Sequence, residues 1–322
     1  MKRRTLLGWT AGAVLAATLP GIAQAENYPS RPVRLVVPQA GGTGNDVLAR
    51  TLAERLGQAW KQAVVVENKP GANGALAINY VLSQPADGYT LFFAGVSNLS
   101  FNPHLYPKLP YNPSKDLVGV AMLANSPFVF VAAPSLKVKT LQDFVQMAKA
   151  RPGEISFASG GVGNSTHLAM ELVAEKVGIK LQHVPFNGPG GATSLMNGQT
   201  PVMMNVVAGV HANIVGHKLV PLAVTGDKRL AALPSVPTFK ELGYDVAVPG
   251  WYAIVAKTGT PAALVQKINA DINQALDDPQ LKEKLAFQFL EPIKGPSTEV
   301  ERYMKRDSEA WGPVIRKLGI SL

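Results

Sequence analysis

The chain contains no cysteine among its 322 residues, which excludes a disulfide framework, a cysteine-ligated metal site and a thiol nucleophile. Charged residues are also scarce, at 16% of the sequence, and Lys and Arg form no block, so the net charge of +9 does not predict nucleic-acid binding. Hydrophobic residues instead make up 47% of the chain. This composition and length predict a chain with a substantial core and roughly two domains.

Long apolar runs are absent after the first 25 residues, and the one that begins the chain has the three parts of an export signal. Basic residues at positions 2–4 precede an apolar stretch at 6–19 and the triplet Ala23-Gln24-Ala25. We therefore expect residues 1–25 to be removed as a signal peptide, leaving a periplasmic protein with no membrane insertion. Arg3-Arg4 also fits a twin-arginine signal, so Sec and Tat export both stay open.

Short apolar strands alternate with helices along the rest of the chain. Residues 128–132 are a continuous apolar run, and residues 33–37 are apolar except for Arg34; such runs are typical of strands that are buried on both faces. Helix starts are indicated at Thr140 with Asp143, at Thr260-Pro261 and at Thr298 with Glu301. The alternation predicts α/β layers with mostly parallel sheets.

Two strands lead into glycine-rich turns, at 38–45 and 159–166, and a helix follows each turn. Such a turn exposes backbone N–H groups beside the positive end of a helix dipole, and so can bind an anion. Capping alone also explains either turn. Two architectures stay open at this point: one large doubly wound domain, or two lobes that each present a turn to a shared cleft.

Enzyme motifs are incomplete. Neither turn has the third glycine of a dinucleotide fingerprint, and the five histidines include no H-E-x-x-H pair. An exported hydrolase built on Ser97 or Ser159 needs a nearby histidine and an oxyanion hole, and the sequence indicates neither. Asp46 is a possible catalytic carboxylate, but in the first turn of a helix it has a simpler role: it favours the helix dipole and holds the glycine loop in shape.

Several segments, in chain order, carry a likeness to a known family: 28–38 with Gly41-Gly42 and Asp46, then 66–72, 109–113, 158–160, 183–188, 223–226, 233–238 and 259–261. Together they resemble the Bug-type solute receptors, the periplasmic substrate-binding proteins of tripartite tricarboxylate transporters. The resemblance covers essentially the whole mature chain.

The resemblance implies a two-lobed type II periplasmic-binding fold of the α/β class, in which each lobe is a mostly parallel sheet flanked by helices. Residues 26–130 and 248–322 would form the first lobe and 131–247 the inserted second lobe, with crossing segments at 128–134 and 251–257. It also implies a receptor rather than an enzyme, which needs no cofactor, closes on a small organic acid and delivers it to membrane permease subunits. A receptor that feeds a signalling partner is the alternative.

In this family a ligand carboxylate is held between loops of the two lobes, often through bridging waters. Carried over by resemblance, the ligand-binding candidates are Gly41, Gly42, Thr43, Asn45, Asp46, Ser97, Ser159, Gly163, Asn164, Ser165 and Thr166. Asn187 stands where a lysine is common, and the opening loop has fewer prolines than usual. Trp251 and Tyr252 are candidates for stacking on an aromatic ligand, or for the core or hinge.

Asn205 stands where many members of the family have Asp. An Asp there would suit a ligand ammonium or amide, whereas an Asn can donate a hydrogen bond as well as accept one. We therefore expect the distal end of the ligand to be a carboxylate, carbonyl or hydroxyl. Tricarboxylates, C4 dicarboxylates, aromatic carboxylates and nicotinate-type acids all remain open.

Overall fold

The computed structural model describes residues 28–186, 190–248 and 250–322; the predicted signal peptide and Asn187 lie outside them. Within these ranges the strands are β1 (Val33–Val37), β2 (Val64–Asn68), β3 (Thr90–Gly95), β4 (Leu117–Asn125), β5 (Phe128–Ala132), β6 (Ser156–Ser159), β7 (Gln182–Pro185), β8 (Val202–Val206), β9 (Val220–Val224), β10 (Trp251–Lys257) and β11 (Glu291–Pro292).

The helices in the same ranges are α1 (Gly44–Trp60), α2 (Ala75–Leu82), α3 (Asn102–Leu105), α4 (Pro113–Asp116), α5 (Leu141–Ala150), α6 (Ser165–Val177), α7 (Gly190–Met196), α8 (Val207–Val215), α9 (Ala262–Ala275), α10 (Pro279–Phe287) and α11 (Thr298–Leu318). A π-helical turn, Ser97–Phe101, follows β3. No helix in these three ranges has both the length and the apolar composition needed to cross a bilayer.

The first lobe contains, within the described residues, a six-stranded sheet in the order β11-β4-β10-β3-β1-β2. β1 runs parallel to β2 and β3, while β10 runs antiparallel to β3 and β4, so β1 to β4 all end at one edge. Leu35 and Val37 of β1 pack with Leu48 and Leu52 of α1, and Val36 joins a second apolar cluster. β1 is therefore buried on both faces except at Arg34, which is exposed, in keeping with its nearly continuous apolar sequence.

The second lobe contains, again within the described residues, a five-stranded sheet in the order β7-β6-β8-β5-β9. β6 runs parallel to β7 and β8, and only β5 runs against its neighbours. β6 and β8 end at the same edge, where they lead into α6 and α8. Both sheets are mostly parallel and carry helices, which confirms the predicted fold class.

The two lobes are joined where β4 leads into β5 and where the chain returns to β10. The amide of Ser126 donates to the carbonyl of Gly250 at 2.7 Å, so the two connections lie against each other. The predicted lobe boundary between residues 130 and 131 falls inside β5, all five residues of which pair with β8. β10 likewise belongs to the first sheet throughout. We therefore propose that the lobes meet at 126–127 and next to Gly250.

One cluster of buried side chains runs through both lobes and includes Phe101, Phe157 and Trp251. The Trp251 side chain is 1% exposed, and its Nε1 donates to Asp307 Oδ2 of α11 at 2.6 Å. Trp251 is therefore a core residue, which excludes it from stacking on a ligand.

The predicted helix starts differ in outcome. Thr140 and Asp143 form the predicted capping box. Thr260 is not a cap: Pro261 is the residue before α9, and Thr260 Oγ1 donates to the carbonyl of Lys257 at 2.8 Å. The predicted capping box at Thr298 is also wrong, because the Glu301 carboxylate accepts instead from the amide of Gly119 in β4 at 3.1 Å.

Candidate functional site

The loop between β1 and α1 is held in a fixed shape by its own polar groups. Thr43 caps α1, and its Oγ1 accepts from the amide of Asp46 at 3.4 Å. Gly42 has a φ of +82°, in the left-handed region that favours glycine. Its amide donates to Asp46 Oδ2 at 2.9 Å. The loop is therefore bent back over the first turn of α1.

Asp46 lies beneath this loop and is 3% exposed. Its carboxylate also accepts from Asn68 Nδ2 at 2.9 Å and from Arg50 Nε at 3.0 Å. Burial alone would raise the pKa of the Asp46 carboxyl, but the hydrogen bonds from Arg50, Gly42 and Asn68 lower it. Both carboxylate oxygens are thus engaged within the protein, which confirms that Asp46 shapes the loop and makes it a positioning residue.

Four other amides of this loop have no hydrogen-bond partner among the described residues. Within the described part of the chain, the N–H groups of Gly41, Thr43, Gly44 and Asn45 make no hydrogen bond. They stand at the amino end of the 17-residue helix α1, where the helix dipole favours a negative charge. This arrangement of donors can bind a carboxylate.

Ser97 and Tyr252 lie at the same edge of the first sheet. Ser97 is half-buried and begins the π-helical turn after β3, and Tyr252 pairs with Gly95 at the end of β3. Burial raises the pKa of the Tyr252 phenol, and the neighbouring side chains of Ser126 and Asn45 oppose that shift. Tyr252 therefore lies between the first loop and the connection between the lobes. The sequence offered only its position next to a strand start as a signal for this role.

The loop after β6 is built differently from the first loop. The amide of Gly160 donates to Thr166 Oγ1 at 2.9 Å, that of Gly161 to Ser159 Oγ at 3.1 Å, and that of Gly163 to His167 Nδ1 at 3.0 Å. The expectation that this turn exposes its glycine amides is therefore wrong for these three. Within the described ranges, the amides of Val162 and Ser165 are left without a partner.

The remaining predicted residues of the second lobe are also brought to this edge. Asn164 caps α6, and its Oδ1 accepts from the amide and the hydroxyl of Thr166, each at 3.0 Å, and from the Ser165 hydroxyl at 3.4 Å. Asn205, at the end of β8, is half-buried, and its amide nitrogen lies 3.6 Å from the sulfur of Met203. Within the described residues, the Asn205 side chain makes no stronger hydrogen bond than this one.

Ser159 has a histidine partner, contrary to what the sequence indicated. Its Oγ lies 2.6 Å from His183 Nε2, and the His183 ring stacks on the His167 ring with centroids 3.7 Å apart. Ser159 is nevertheless 0% exposed, and its hydroxyl also bonds to the backbone of Gly161. A nucleophile must reach a substrate, so this pair supports the loop rather than a hydrolase site.

We expect the free energy of unfolding to decrease as the pH is lowered, because of His183. Burial, and then His167, lower the pKa of His183 from 6.5 to about 4. Between about pH 6.5 and pH 4, His183 is therefore protonated in the unfolded chain but neutral in the folded chain. The free energy of unfolding falls as the pH falls through this range, and His183 causes no further loss below about pH 4. Urea denaturation across this range should show a smaller pH slope for His183→Gln than for the wild type.

The exposed His217 provides the matched control, and His217→Gln should keep the wild-type slope. Burial also lowers the pKa of His104, so part of the slope should persist in His183→Gln. An unchanged slope in His183→Gln would show that this histidine does not titrate as the buried environment predicts.

The two lobes contact each other on both sides of these loops. Gly163 lies against Leu105 and Leu322 of the first lobe, and Asn73 Nδ2 approaches the Gly163 carbonyl at 3.5 Å. Elsewhere the Phe289 ring of the first lobe packs against the His211 ring of the second lobe, with the two ring centroids 4.0 Å apart. The predicted site residues thus lie at the edges of two sheets whose lobes are in contact.

Comparison with known proteins gives consistent matches. A model of the family described as "Tripartite tricarboxylate transporter family receptor" matches residues 48–320. The chain is similar to Protein BugT of Bordetella pertussis, with 33% identity over 313 residues that cover 96% of each chain.

Two similar solved structures contain an organic acid. One is an R. palustris protein with adipate. It has a TM-score of 0.86 and 29% sequence identity, and the match covers 91% of this chain and 99% of the R. palustris chain. The other, MatC from Rhodopseudomonas palustris with bound malate, has a TM-score of 0.83 and 27% identity and covers 89% of this chain and 100% of its own.

Proposed function

The chain belongs to the family of tripartite tricarboxylate transporter receptors, and from that membership we propose that it binds a small organic acid between its two lobes and delivers it to a membrane permease. The family is one of periplasmic receptors. The apolar segment and the A-x-A triplet at 1–25 support export of this chain to the same compartment.

The observation that carries the proposal is the row of amides at Gly41, Thr43, Gly44 and Asn45, which have no hydrogen-bond partner in the part of the chain that the structure describes. A carboxylate held there accepts several N–H bonds and meets the positive end of α1. The Asp46 carboxylate lies beneath the loop, and both of its oxygens accept hydrogen bonds from Gly42, Arg50 and Asn68. It therefore holds the loop in shape and does not bond to the four amides that would bind the ligand. Closure removes water and strengthens these bonds, so the ligand stabilises the closed state.

The second lobe contributes fewer donors, because three glycine amides of its loop bond within the protein. Asn205 and the amides of Val162 and Ser165 are the groups it offers. An Asn side chain donates an N–H bond to an oxygen, which an ionised Asp at this position could not do, so we propose a carboxylate, carbonyl or hydroxyl at the distal end of the ligand. The adipate and malate of the two similar structures have such an end.

The test is thermal unfolding of the mature, ligand-free chain against adipate, malate, citrate, benzoate and nicotinate, with glutamate and 2-oxoglutarate as an amino acid and its deaminated analogue. An acid at 100 times its Kd should add about 2.7 kcal/mol of stability and raise the Tm clearly. We expect a shift with at least one acid class, and a larger one with 2-oxoglutarate than with glutamate. Absence of any shift would contradict a carboxylate receptor.

Two glycine variants show whether the first loop is the binding site. Gly42 and Gly153 both have φ near +80°, at +82° and +81°, and a Cβ on either meets nothing within 4 Å. Gly42→Ala and Gly153→Ala therefore carry the same backbone strain. Only Gly42 lies in the loop that presents the amides, so only Gly42→Ala should distort that loop and weaken binding. The expected loss is about tenfold, which corresponds to roughly one lost charge-assisted hydrogen bond. Equal Kd values in the two variants would place the carboxylate elsewhere.

A further inference from the structure

Phe289 belongs to the first lobe by its backbone and to the second by its side chain. Leu285 before it and Leu290 after it are buried in the first-lobe core, and β11, which follows, pairs with β4. The Phe289 ring, however, packs against the apolar cluster of the second lobe and lies 4.0 Å from the His211 ring of α8. A single side chain on a fixed backbone thus spans the two lobes.

The backbone at Phe289 is unusual for such a residue. The amide of Phe289 donates to the carbonyl of Ala286 and that of Leu290 to the carbonyl of Leu285, each at 2.9 Å, which is the Schellman pattern at the end of α10. Phe289 occupies the left-handed position of that motif, with a φ of +55°, where glycine is usual. Strained residues of this kind cluster at ligand clamps and switches.

This contact lies beside the candidate ligand-binding groups of both lobes. Gln288, the preceding residue, has its side-chain oxygen 3.9 Å from the point where a Cβ on Gly44 would lie, at the amino end of α1. His211 is on α8, which begins just after Asn205 and whose Gly209 packs against the Asn205 side chain. The Phe289–His211 pair therefore bridges the two walls of the cleft.

We propose that Phe289 and His211 form a latch that holds the lobes closed and sets how slowly the ligand leaves; the ligand part of this proposal rests on the proposed function. The latch is made only when the lobes meet, so it stabilises the closed state and not the open one. A ligand bound in the closed state can leave only after the lobes open. Because the latch stabilises the closed state, the ligand dissociates more slowly.

Stopped-flow and calorimetry with the acid identified above measure the effect. Phe289→Ala should raise the dissociation rate and Kd by about 2- to 10-fold, the range that an aromatic pair contributes, with little change in the association rate. His211→Ala should do the same, and the double variant should be no weaker than either single one. Phe289→Gly, which removes the left-handed strain, should lose affinity without losing thermal stability.

Phe287→Ala is the matched control, because Phe287 is two residues earlier and 82% exposed. It should bind as the wild type does. Wild-type dissociation from Phe289→Ala, or fully additive effects in the double variant, would overturn the latch.

A second measurement needs no ligand, and the absence of native cysteines makes it direct. Spin labels at Ala59→Cys in α1 and Gln146→Cys in α5, both exposed, report the distance between the lobes. Phe289→Ala should shift the distance distribution away from that of the wild type, and Phe287→Ala should leave it unchanged. Identical distributions would overturn the latch even if ligand binding is established. A shift in a protein that binds none of the acids would keep the latch and reject the proposed function.

Discussion

Replacing Asp46 with alanine is expected to weaken ligand binding by about 100-fold or more and to lower the free energy of unfolding by about 2–3 kcal/mol. The change removes the acceptor of the Gly42 amide and of Asn68, so the loop that presents the unpaired amides loses its support. Arg50 contributes less to the stability loss, because its side chain is 54% exposed and solvent screens its charge. Calorimetry and urea denaturation measure the two effects.

Asp143 supplies the matched control for this variant. It too lies in the first turn of a helix and accepts backbone N–H bonds, from Lys139 and Thr140 at 3.0 Å each, but it belongs to α5 in the second lobe. Asp143→Ala removes one half of a capping box, so it should lower stability only slightly and should leave Kd unchanged. If Asp46→Ala binds the acid as tightly as Asp143→Ala does, the first loop does not depend on Asp46 for its function.

Two strands that are buried on both faces were predicted well. Residues 128–132 are apolar throughout and residues 33–37 are apolar except for Arg34, and the structure places β5 and β1 at those bounds because both strands lie between layers. The capping box at Thr140 and Asp143 was predictable because both of its hydrogen bonds join residues three positions apart.

Two of the failures share one long-range contact. β4 (Leu117–Asn125) was not predicted, and it contains Gly119, a residue type that disfavours the interior of a strand. A Cβ on Gly119 would lie 2.6 Å from Val300 of α11, so β4 needs a glycine where α11 approaches. The Gly119 amide then takes Glu301 as its acceptor, which removes that carboxylate from the capping box expected at Thr298. Tertiary packing overrides both local patterns, and a single sequence does not contain that pairing.

The candidate site was predictable to the same degree. Glycines and short polar residues identified both loops, and the position of Asp46 in the first turn of α1 indicated its supporting role. The partners that distinguish the loops come from elsewhere in the chain: Asn68 in β2 for the first, and His183 in β7 for the second. Phe289 was not found at all, because a Phe in a left-handed position has no sequence signature.

Gly250→Ala is expected to lower the free energy of unfolding by about 3 kcal/mol or more, because nothing near this residue can make room for a methyl group. A Cβ at this position would lie 2.1 Å from the Ser126 carbonyl oxygen and 2.6 Å from Cε2 of Phe128. The two connections between the lobes would have to separate, and the 2.7 Å bond from the Ser126 amide to the Gly250 carbonyl would weaken. Urea denaturation measures the loss.

The control for Gly250→Ala is Gly191→Ala. A Cβ on Gly191, in α7, would meet its nearest neighbour, the Met203 methyl, at an ordinary 3.5 Å. Because alanine favours a helix over glycine, Gly191→Ala should be neutral or stabilise the protein by up to about 1 kcal/mol. If Gly250→Ala were as stable as Gly191→Ala, the two connections would have room to separate and would not fix the relative position of the lobes. A large loss confined to Gly250→Ala would show that the folded protein requires the two connections to stay in contact.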